Sequence, residues 1–425
     1  MKLRRAFNRA VRRFVASLPQ GIRFSIYRAM VDCDPKPSPR LVLKIAETKE
    51  ELEACFTILH DAYVDSGFMK PHPSGMRVTI YHALPTTTTL CAKWDDEVVG
   101  TLSLIRESPF GFPLQQIFDL DDVRAKGGAL AEVSALAVHP KFRNTGGMVL
   151  FPLMKFMYEY CHQYFDTRHL LIAVNPNRIE LYESLLGFTR LTQNTVDEYD
   201  FANGAPAVGA TLDLETAPAN LKRLYAGKSP RKNLYHFFKE TTLPNIQFPS
   251  RRYYTTSDPV LTPELLNHFF NVRTHGFGEL DKRRKVLLHA IYAYDRYQRV
   301  LPPLPPGSGN VRCFPRFSVK CPAEVRLADG QTRIRVMVID VSTAGFQVKT
   351  TTALPMTQPV RAVIKIGERE VARLHAAAVR LTTRGNISFY GFRVDQSDYV
   401  WRKFVRALEH ADTHSQLEQA TSFMD

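Results

Sequence analysis

The segment 131–148, AEVSALAVHPKFRNTGGM, constrains the fold more than any other part of this chain. Its first half is rich in β-branched and small apolar residues with one carboxylate, Glu132, near the start. This predicts a buried strand, because charged side chains are rare in such runs. A basic turn with two glycines follows, and an apolar helix is expected at about 149–164. Strand, basic glycine turn and helix can form an anion site, because backbone N–H groups and the helix dipole attract negative charge at the helix start. The alternative is that Gly146 and Gly147 only close a tight turn.

Composition and charge limit the classes of protein that this chain can be. Its 425 residues favour two or three domains, and an apolar fraction of 44% is enough for a buried core. The formal net charge of +14 indicates acidic partners such as an anionic lipid, a nucleotide, a nucleic acid or an acidic protein. The six cysteines form no CxxC pair and the thirteen histidines no HExxH motif, so we assign no metal site and no disulfide framework. No base-reading motif is present, and we expect no nucleic-acid polymer as a partner.

The amino-terminal segment 1–18, MKLRRAFNRAVRRFVASL, is basic and amphipathic. On a helix at about 100° per residue, its large apolar side chains fall on one side and most of its lysines and arginines on the other. Such a helix is typical of a membrane interface, and packing on the protein's own surface is the alternative. The Pro-rich segment 34–39 ends this arm. Since no apolar run approaches ~20 residues, we expect a cytoplasmic protein, peripheral on the inner membrane face if the arm binds lipid.

A second strand and a second helix follow. The run 170–174, LLIAV, predicts a strand, and 175–188, NPNRIELYESLLGF, predicts a short helix that carries Tyr182. Together with the glycine turn, these segments resemble the acyl-thioester-binding half of the GNAT acyltransferases. The resemblance implies that four residues of the turn hold the phosphate of an acyl-phosphopantetheine donor: Lys141, Arg143, Gly146 and Gly147. A solvated basic turn is the alternative.

Four shorter segments make a closer resemblance. They are YVDSG at 63–67, VVGTLSLI at 98–105, GFP at 111–113 and AEVS at 131–134. Over 41–191 the chain is similar to the N-acyl amino acid synthases, which are allied to the acyl-homoserine-lactone synthases. The resemblance implies a transferase that moves a long acyl chain from acyl carrier protein, or from coenzyme A, to the amine of an amino acid.

Acyl transfer to an amine sets chemical requirements for such a site. The attacking amine must lose a proton, the carbonyl oxygen gains charge and needs N–H donors, and a thiolate leaves. Glu132 is the candidate base, and an ion pair with a neighbouring arginine is the alternative. Tyr182 is the candidate acid for the leaving sulfur, and a core tyrosine is the alternative. Many members of the resembling family have an arginine where this chain has Ala135, which bears on how the carboxylate of the amino acid is held.

Residues 221–301 predict a helical extension of the acyltransferase. Two helices within 263–297 carry aromatic residues at helical spacing, so they either pack against the core or wall a tunnel for the acyl chain. The basic runs 222–232 and 282–285 are candidate contacts for the acidic acyl carrier protein, with solvated surface as the alternative.

A Pro- and Gly-rich linker, LPPLPPGSGN at 301–310, precedes a change to short β-patterned runs. Turn residues separate these runs, which predicts a small antiparallel barrel of six strands. The expected strands are Ala323–Leu327, Ile334–Val341, Phe346–Thr350, Arg361–Ile366, Val371–Leu381 and Ile387–Val394. An amphipathic helix is expected at 399–410.

Two motifs belong to this barrel. Arg312 and Arg316 stand four residues apart after the linker, and DVSTAG at the end of a strand contributes Asp340, Ser342 and Gly345. Arginine pairs bidentately with phosphate and stacks on or hydrogen-bonds guanine. The two motifs in this order closely resemble those of the PilZ domain, which implies that these five residues bind cyclic di-GMP as a regulatory ligand. A barrel that has lost this ligand is the alternative.

The expected fold is therefore α+β: a GNAT-like mixed sheet flanked by helices, a helical extension, and a small antiparallel six-stranded β-barrel. The expected divisions are an arm, an acyltransferase domain, its extension, a linker, a barrel and a tail, at 1–39, 40–220, 221–301, 302–310, 311–410 and 411–425. The leading hypothesis is an N-acyltransferase regulated by cyclic di-GMP. The alternative is a non-catalytic cyclic di-GMP effector that binds carrier protein or membrane.

Overall fold

A computed structural model of the protein describes residues 17–143, 145–202, 204–258, 261–293, 295–307 and 315–410. Most of the basic arm, Arg312 and the tail beyond 410 lie outside these residues. The chain forms two compact units. The first comprises the described residues within Met1–Ala46, Glu50–Arg77 and Thr89–Gln247, and the second those within Glu47–Lys49, Val78–Thr88 and Phe248–Asp425. The domain boundaries expected from the sequence stay predictions.

The first unit is built on one mixed sheet with helices. Its elements are α1 (Gln20–Ala29), β1 (Leu41–Ile45), α2 (Lys49–Asp65), β2 (Thr87–Trp94), β3 (Glu97–Arg106), α3 (Asp121–Ala125), β4 (Ala129–Val138), α4 (Leu150–Tyr160), β5 (Thr167–Val174), α5 (Pro176–Leu186), β6 (Thr189–Arg190), β7 (Val196–Tyr199), β8 (Ala205–Asp213) and α6 (Ala217–Leu224). The strand order is β1-β2-β3-β4-β5-β8-β6, and β7 pairs with β8. β4 and β5 are parallel, and α4 is the crossover between them. The expected GNAT-like mixed sheet is confirmed.

The hairpin of β2 and β3 follows from its turn residues. Asp95 and Asp96 have φ of 48° and 68°, which are left-handed values required at both central positions of a tight hairpin turn. Aspartate tolerates this region better than most residues, because its short side chain hydrogen-bonds locally. The turn therefore sets the register of the strands that precede β4.

Helices α4 and α5 differ in how they begin and end. The helix expected at 149–164 is α-helical as α4 and then continues as a π-helical turn, Cys161–Phe165. In α5, the Asn175 side chain caps the first turn by accepting from the backbone N–H of Asn177, and Gly187 ends the helix at φ 80°. Helix α1, which sequence patterning did not single out, packs on α5, and the Arg23 side chain donates to Glu180 at 3.1 Å.

The second unit contains a closed antiparallel barrel. Its strands are β9 (Phe317–Arg326), β10 (Arg333–Ser342), β11 (Gly345–Thr350), β12 (Pro359–Lys365), β13 (Val371–Arg384) and β14 (Ile387–Ser397), followed by α10 (Tyr399–His410). They close in the order β10-β11-β14-β13-β12-β9. The expected six-stranded barrel is confirmed, and alternate residues of each strand fill its core.

Shorter helices precede the barrel in the chain. They are α7 (Pro263–Leu266), which continues as a π-helical turn at Asn267–Arg273, α8 (Lys282–Ile291) and α9 (Asp295–Gln298). The two helices expected within 263–297 are present in this broken form. Among the described residues, no helix is both long enough and apolar enough to cross a bilayer.

Phe404 tests how much α10 contributes to the barrel. It is fully buried, with ring centroids of Tyr253 and Trp401 at 4.7 and 5.8 Å. Phe404→Ala should destabilise this unit by ~3–5 kcal/mol, because buried apolar surface is lost and a cavity remains. Denaturant unfolding followed by Trp401 fluorescence, in a Trp94→Phe background, measures the change. Val379→Ala, at a half-exposed position, is the control and should stay within ~0.5 kcal/mol. If Phe404→Ala and Val379→Ala lowered the free energy of unfolding equally, α10 would not contribute to the barrel core.

Candidate active site and candidate nucleotide site

β4 and β5 are hydrogen-bonded along only part of their length. Their register ends at the pair Glu132 and Leu171, although β4 continues to Val138 and β5 to Val174. Beyond this pair neither strand is the other's partner. The sheet therefore has a split at its parallel pair, immediately before the basic glycine turn.

β4 also carries a bulge beside this split. Against β3, Thr101 pairs with Ala137 and Ser103 with Ser134, so β4 has one extra residue in this interval. Ala135 lies in the bulge at φ 54°, a left-handed value that is unfavourable for a residue with a Cβ. A bulge removes backbone groups from the regular ladder. On the other edge of β4, the part of the strand beyond Glu132 has no ladder partner on β5, so its backbone groups there face the split.

A cavity passes through the sheet at the split. Residues 132–136 of β4 and 172–174 of β5 line it consecutively. Successive side chains of a strand point to opposite faces, so a cavity lined by all of them connects the two faces between the strands. The space open to the centres of water-sized groups is about 180 Å³, enough for on the order of ten such groups.

The walls of the cavity on either side of the sheet come from distant parts of the chain. One part of the wall is aromatic and is formed by Tyr63, Tyr182, Tyr199 and Phe201. The rest is mostly apolar and includes Met154, Met157, Leu212, Leu214, Leu221 and Phe238, with Tyr158 and Lys239 as polar members. All the lining residues that the structure describes belong to the first unit, and none of them falls within 263–297.

Glu132 lies at the point where the strands separate and lines the cavity. Its carboxylate is 2% exposed and accepts a hydrogen bond from the backbone N–H of Leu114 at 3.1 Å. Burial raises its pKa from the ordinary 4.5 to about 8, because the charged form loses solvation, and the Leu114 N–H offsets part of that rise. Within the described part of the chain Glu132 has no arginine partner, so the alternative of a structural ion pair finds no support.

Tyr182 borders the same cavity from α5. Its ring packs edge-on against Phe188, with 5.9 Å between centroids, and burial raises the pKa of its hydroxyl. Arg178 lowers that pKa by a smaller amount. The structure thus brings the two residues predicted for catalysis to one cavity and keeps the tyrosine protonated at neutral pH.

The basic glycine turn leads from β4 into α4. Gly146 and Gly147 have φ of 70° and 85°, and a Cβ at Gly147 would collide with the ring of Phe151. Lys141 is exposed. Arg143 donates to the Val138 carbonyl at 2.8 Å and pairs with Asp65 at 3.2 Å, while one terminal nitrogen is buried without a partner in the described part of the chain. Phosphate binding by these residues stays a prediction.

Several site residues carry no sequence signal of their own. Leu114 acts through its backbone and follows the Gly-Phe-Pro segment, which was recognised only as part of the resemblance. Tyr158 and Lys239 are 81 positions apart, yet the Lys239 ammonium donates to the Tyr158 hydroxyl at 3.1 Å. Only the fold brings such positions together.

The second motif region lies at one end of the barrel. Arg316 is 3.9 Å from Asp340, and the ladder is irregular between Val338 and Asp340. The Ser342 hydroxyl donates to the Gly345 carbonyl at 3.2 Å, and a Cβ at position 345 would collide with the carbonyl oxygen of Phe392. Four of the five predicted nucleotide contacts therefore belong to one strand pair and the start of β9, and Arg312 lies outside the described residues.

A split mixed sheet followed by a closed six-stranded barrel defines a GNAT-like acyltransferase fold combined with a PilZ-type barrel. Family comparison agrees with both parts. Residues 54–213 match the family model described as N-acyl amino acid synthase FeeM, and residues 310–409 match that of the PilZ domain. The chain therefore combines a domain that matches the N-acyl amino acid synthase family over 54–213 with a carboxy-terminal domain that matches the PilZ family over 310–409.

Comparison with solved structures finds similar chains at low identity. FeeM, an N-acyl amino acid synthase from uncultured soil microbes, is 22% identical over 42% of this chain and 93% of its own, with a TM-score of 0.36. BjaI, a CoA-dependent acyl-homoserine lactone synthase, is 19% identical over 44% and 91%, with a TM-score of 0.33. The PilZ domain of YcgR from Escherichia coli, solved with c-di-GMP, is 20% identical over 24% and 92%, with a TM-score of 0.21. Comparison with curated proteins gives no match.

The raised pKa of Glu132 makes stability depend on pH. The unfolded state ionises near pH 4.5 and the folded state near pH 8, so unfolding becomes easier between these values as pH rises. Glu132→Gln keeps an acceptor for Leu114 and has no charge to bury. Relative to wild type it should gain stability from pH 4.5 to 8, reaching a few kcal/mol, and the gain should level off above pH 8. Thermal unfolding across this range measures it. A difference that does not change with pH would mean that the carboxyl titrates normally.

Proposed function

We propose that the first unit is an N-acyltransferase that moves a long acyl group from a pantetheine thioester to the amine of an amino acid. The observation that carries this proposal is the cavity at the split of the sheet, which the buried Glu132 lines. A linear thioester fits a passage between two parted strands. In this proposal the thioester carbonyl meets the amine beside the Glu132 carboxyl.

The pKa of Glu132 suits the proton transfer. An amino acid amine has a pKa near 8 or above, so a carboxylate of ordinary pKa would be too weak a base by several units. A carboxyl with a pKa of about 8 exchanges a proton with such an ammonium at little cost. Glu132 passes this first proton to solvent and then, ionised again, accepts the second proton that the nitrogen loses as the N–C bond forms.

The other groups complete the step. Backbone N–H groups at the bulge around Ala135 hold the carbonyl oxygen as it gains charge. As the C–S bond breaks, Tyr182, whose hydroxyl stays protonated, donates a proton to the leaving thiolate. It recovers a proton from Glu132 through solvent, which balances the cycle.

The donor is proposed to enter along the glycine turn. Gly146 and Gly147 have no side chains to block the start of α4, and Lys141 and the unpartnered nitrogen of Arg143 supply positive charge for the pantetheine phosphate. The acyl chain then occupies the apolar part of the cavity beside α4. We propose acyl carrier protein as the donor's carrier, with coenzyme A as the alternative, because an acidic carrier suits a chain of formal net charge +14.

The barrel is proposed to bind cyclic di-GMP and to regulate the transferase. Arg316 is exposed and lies beside Asp340, and Ser342 donates to the carbonyl of Gly345, where a Cβ would collide with the Phe392 carbonyl oxygen. Arg312 would supply the second guanidinium for the phosphates. If the nucleotide changes the affinity for acyl donor, the donor must change the affinity for nucleotide by the same factor. The basic arm at 1–18 is proposed to hold the protein against the inner membrane face.

A non-catalytic effector is the second candidate, because Ala135 has a strained backbone and stands where the resemblance implies an arginine in many members of the family. Lipid extracts from cells that overexpress the protein separate the two candidates. A new N-acyl amino acid should appear with wild type. With Glu132→Gln it should fall by ~10²–10⁴-fold at equal protein level, because the proton acceptor is lost. Mass spectrometry measures the lipid.

The control for this test is Glu53→Gln, which removes a carboxylate on α2 outside the cavity lining. This control should leave the amount of N-acyl amino acid unchanged. No new lipid from wild type would favour the effector. Equal amounts from Glu132→Gln and wild type would remove Glu132 from the mechanism but leave the transferase in place.

Cyclic di-GMP binding has its own test. Arg312→Ala with Arg316→Ala should weaken binding by at least ~100-fold, because two charge-assisted hydrogen-bonding groups are lost. Isothermal calorimetry on the full chain measures the affinity. The matched control is Arg361→Ala with Arg369→Ala, which removes two other exposed barrel arginines and should bind normally. Affinity retained by the first variant would contradict the assignment.

A further inference from the structure

Two rows of side chains cross the outer face of the barrel at the end away from the nucleotide motifs. In the first row, Arg333 lies opposite Arg326, Arg326 opposite Arg361, and Arg361 opposite His375. Directly opposed residues of antiparallel strands share a face, and the neighbouring positions on each strand point into the core. With strands ~4.8 Å apart, the row spans about 15 Å across four strands.

The second row lies one step along the same strands. Arg335 is opposite Glu324, Glu324 opposite Val363, and Val363 opposite Arg373. We call the set of basic side chains in both rows the arginine face: Arg326, Arg333, Arg335, Arg361, Arg373 and His375. All of them are exposed except Arg326, which is half-buried.

Little negative charge balances the arginine face. Glu324 pairs with Arg326 at 2.6 Å and lies 3.9 Å from Arg333. Two further carboxylates lie near the face: Asp398 accepts from the backbone N–H of Arg373, and Asp329, in the turn between β9 and β10, accepts from Thr332. In the described part of the chain, Arg335, Arg361 and Arg373 have no ion-pair partner.

This arrangement is unfavourable for the barrel alone. Like charges directly opposite one another on adjacent strands destabilise a sheet. A barrel surface without a partner would be expected to alternate acidic and basic residues. An anionic partner would neutralise the face.

The form of the face fits a lipid surface better than an acidic protein. The guanidiniums lie on the convex outside of a closed barrel, so they can meet many phosphates lying in one plane. Acidic protein partners are usually matched by a shaped patch with an apolar centre, and Val363 is the only apolar residue within the two rows.

We propose that the arginine face docks the PilZ barrel on the phosphate headgroups of an anionic membrane. The docking surface is separate from both the cyclic di-GMP motifs and the transferase cavity. It would hold the regulatory barrel at the bilayer whether or not the first unit catalyses. Each arginine close to an anionic bilayer is expected to strengthen binding by about fivefold.

The test is vesicle co-sedimentation of the full chain. The probes are phosphatidylcholine vesicles with and without phosphatidylglycerol, at low and high salt. Arg333→Gln, Arg361→Gln and Arg373→Gln together should lower partition onto the anionic vesicles by about 100-fold. The matched control removes the same charge from exposed arginines elsewhere on the unit, Arg380→Gln, Arg402→Gln and Arg406→Gln, and should change partition less than ~5-fold.

A third variant tests whether misfolding, and not loss of charge, explains a loss of binding. Lysine at positions 333, 361 and 373 keeps the charge and should keep partition within ~5-fold of wild type. The glutamine variant should unfold at no lower temperature than wild type, because like-charge repulsion is removed. Equal losses in the glutamine and control variants, or no preference of wild type for phosphatidylglycerol, would overturn the proposal. The proposal would also be overturned if the glutamine variant lost binding to RNA while its binding to the anionic vesicles stayed unchanged.

Discussion

The end of hydrogen bonding between β4 and β5 is the constraint on which the acyltransferase part depends. Two parallel strands in one sheet normally continue their ladder, and here the ladder ends at Glu132 and Leu171. Two other features lie at the same place. The bulge on β4 holds Ala135 in a left-handed conformation, and the cavity passes between the separated strands. A sheet without this split would have no passage for a linear substrate.

The split also explains the electrostatics of Glu132. A carboxyl at this depth loses nearly all contact with solvent, and the hydrogen bond from Leu114 does not replace what is lost. The resulting pKa of about 8 costs stability at neutral and higher pH. Such a loss of folding stability is common where a site needs a base stronger than an exposed carboxylate.

The PilZ barrel separates its two charged regions. Arg316 and Asp340 lie where β9 begins and β10 ends, while the arginine face occupies the other ends of these strands and the neighbouring β12 and β13. A closed barrel can carry both, because its core is filled by alternate residues and leaves every outward position free to vary. Ligand binding at one end and lipid contact at the other would then require no shared residue.

The sequence by itself determined the elements and the families. Strand and helix patterns, the Asp-Asp-Glu hairpin turn, the glycine turn, and the paired arginine and DVSTAG motifs are local signals, because they depend on residues close together in the chain. They were enough to predict the mixed sheet, the six-stranded barrel and the position of Glu132. The tertiary structure decided the rest. The cavity walls join Tyr63, Tyr182, Leu221 and Lys239, and the arginine face depends on the register of non-adjacent strands. Such contacts, and the desolvation that sets the pKa of Glu132, depend on which distant segments pack together. Local sequence patterns do not predict this packing, because they involve only residues close together in the chain.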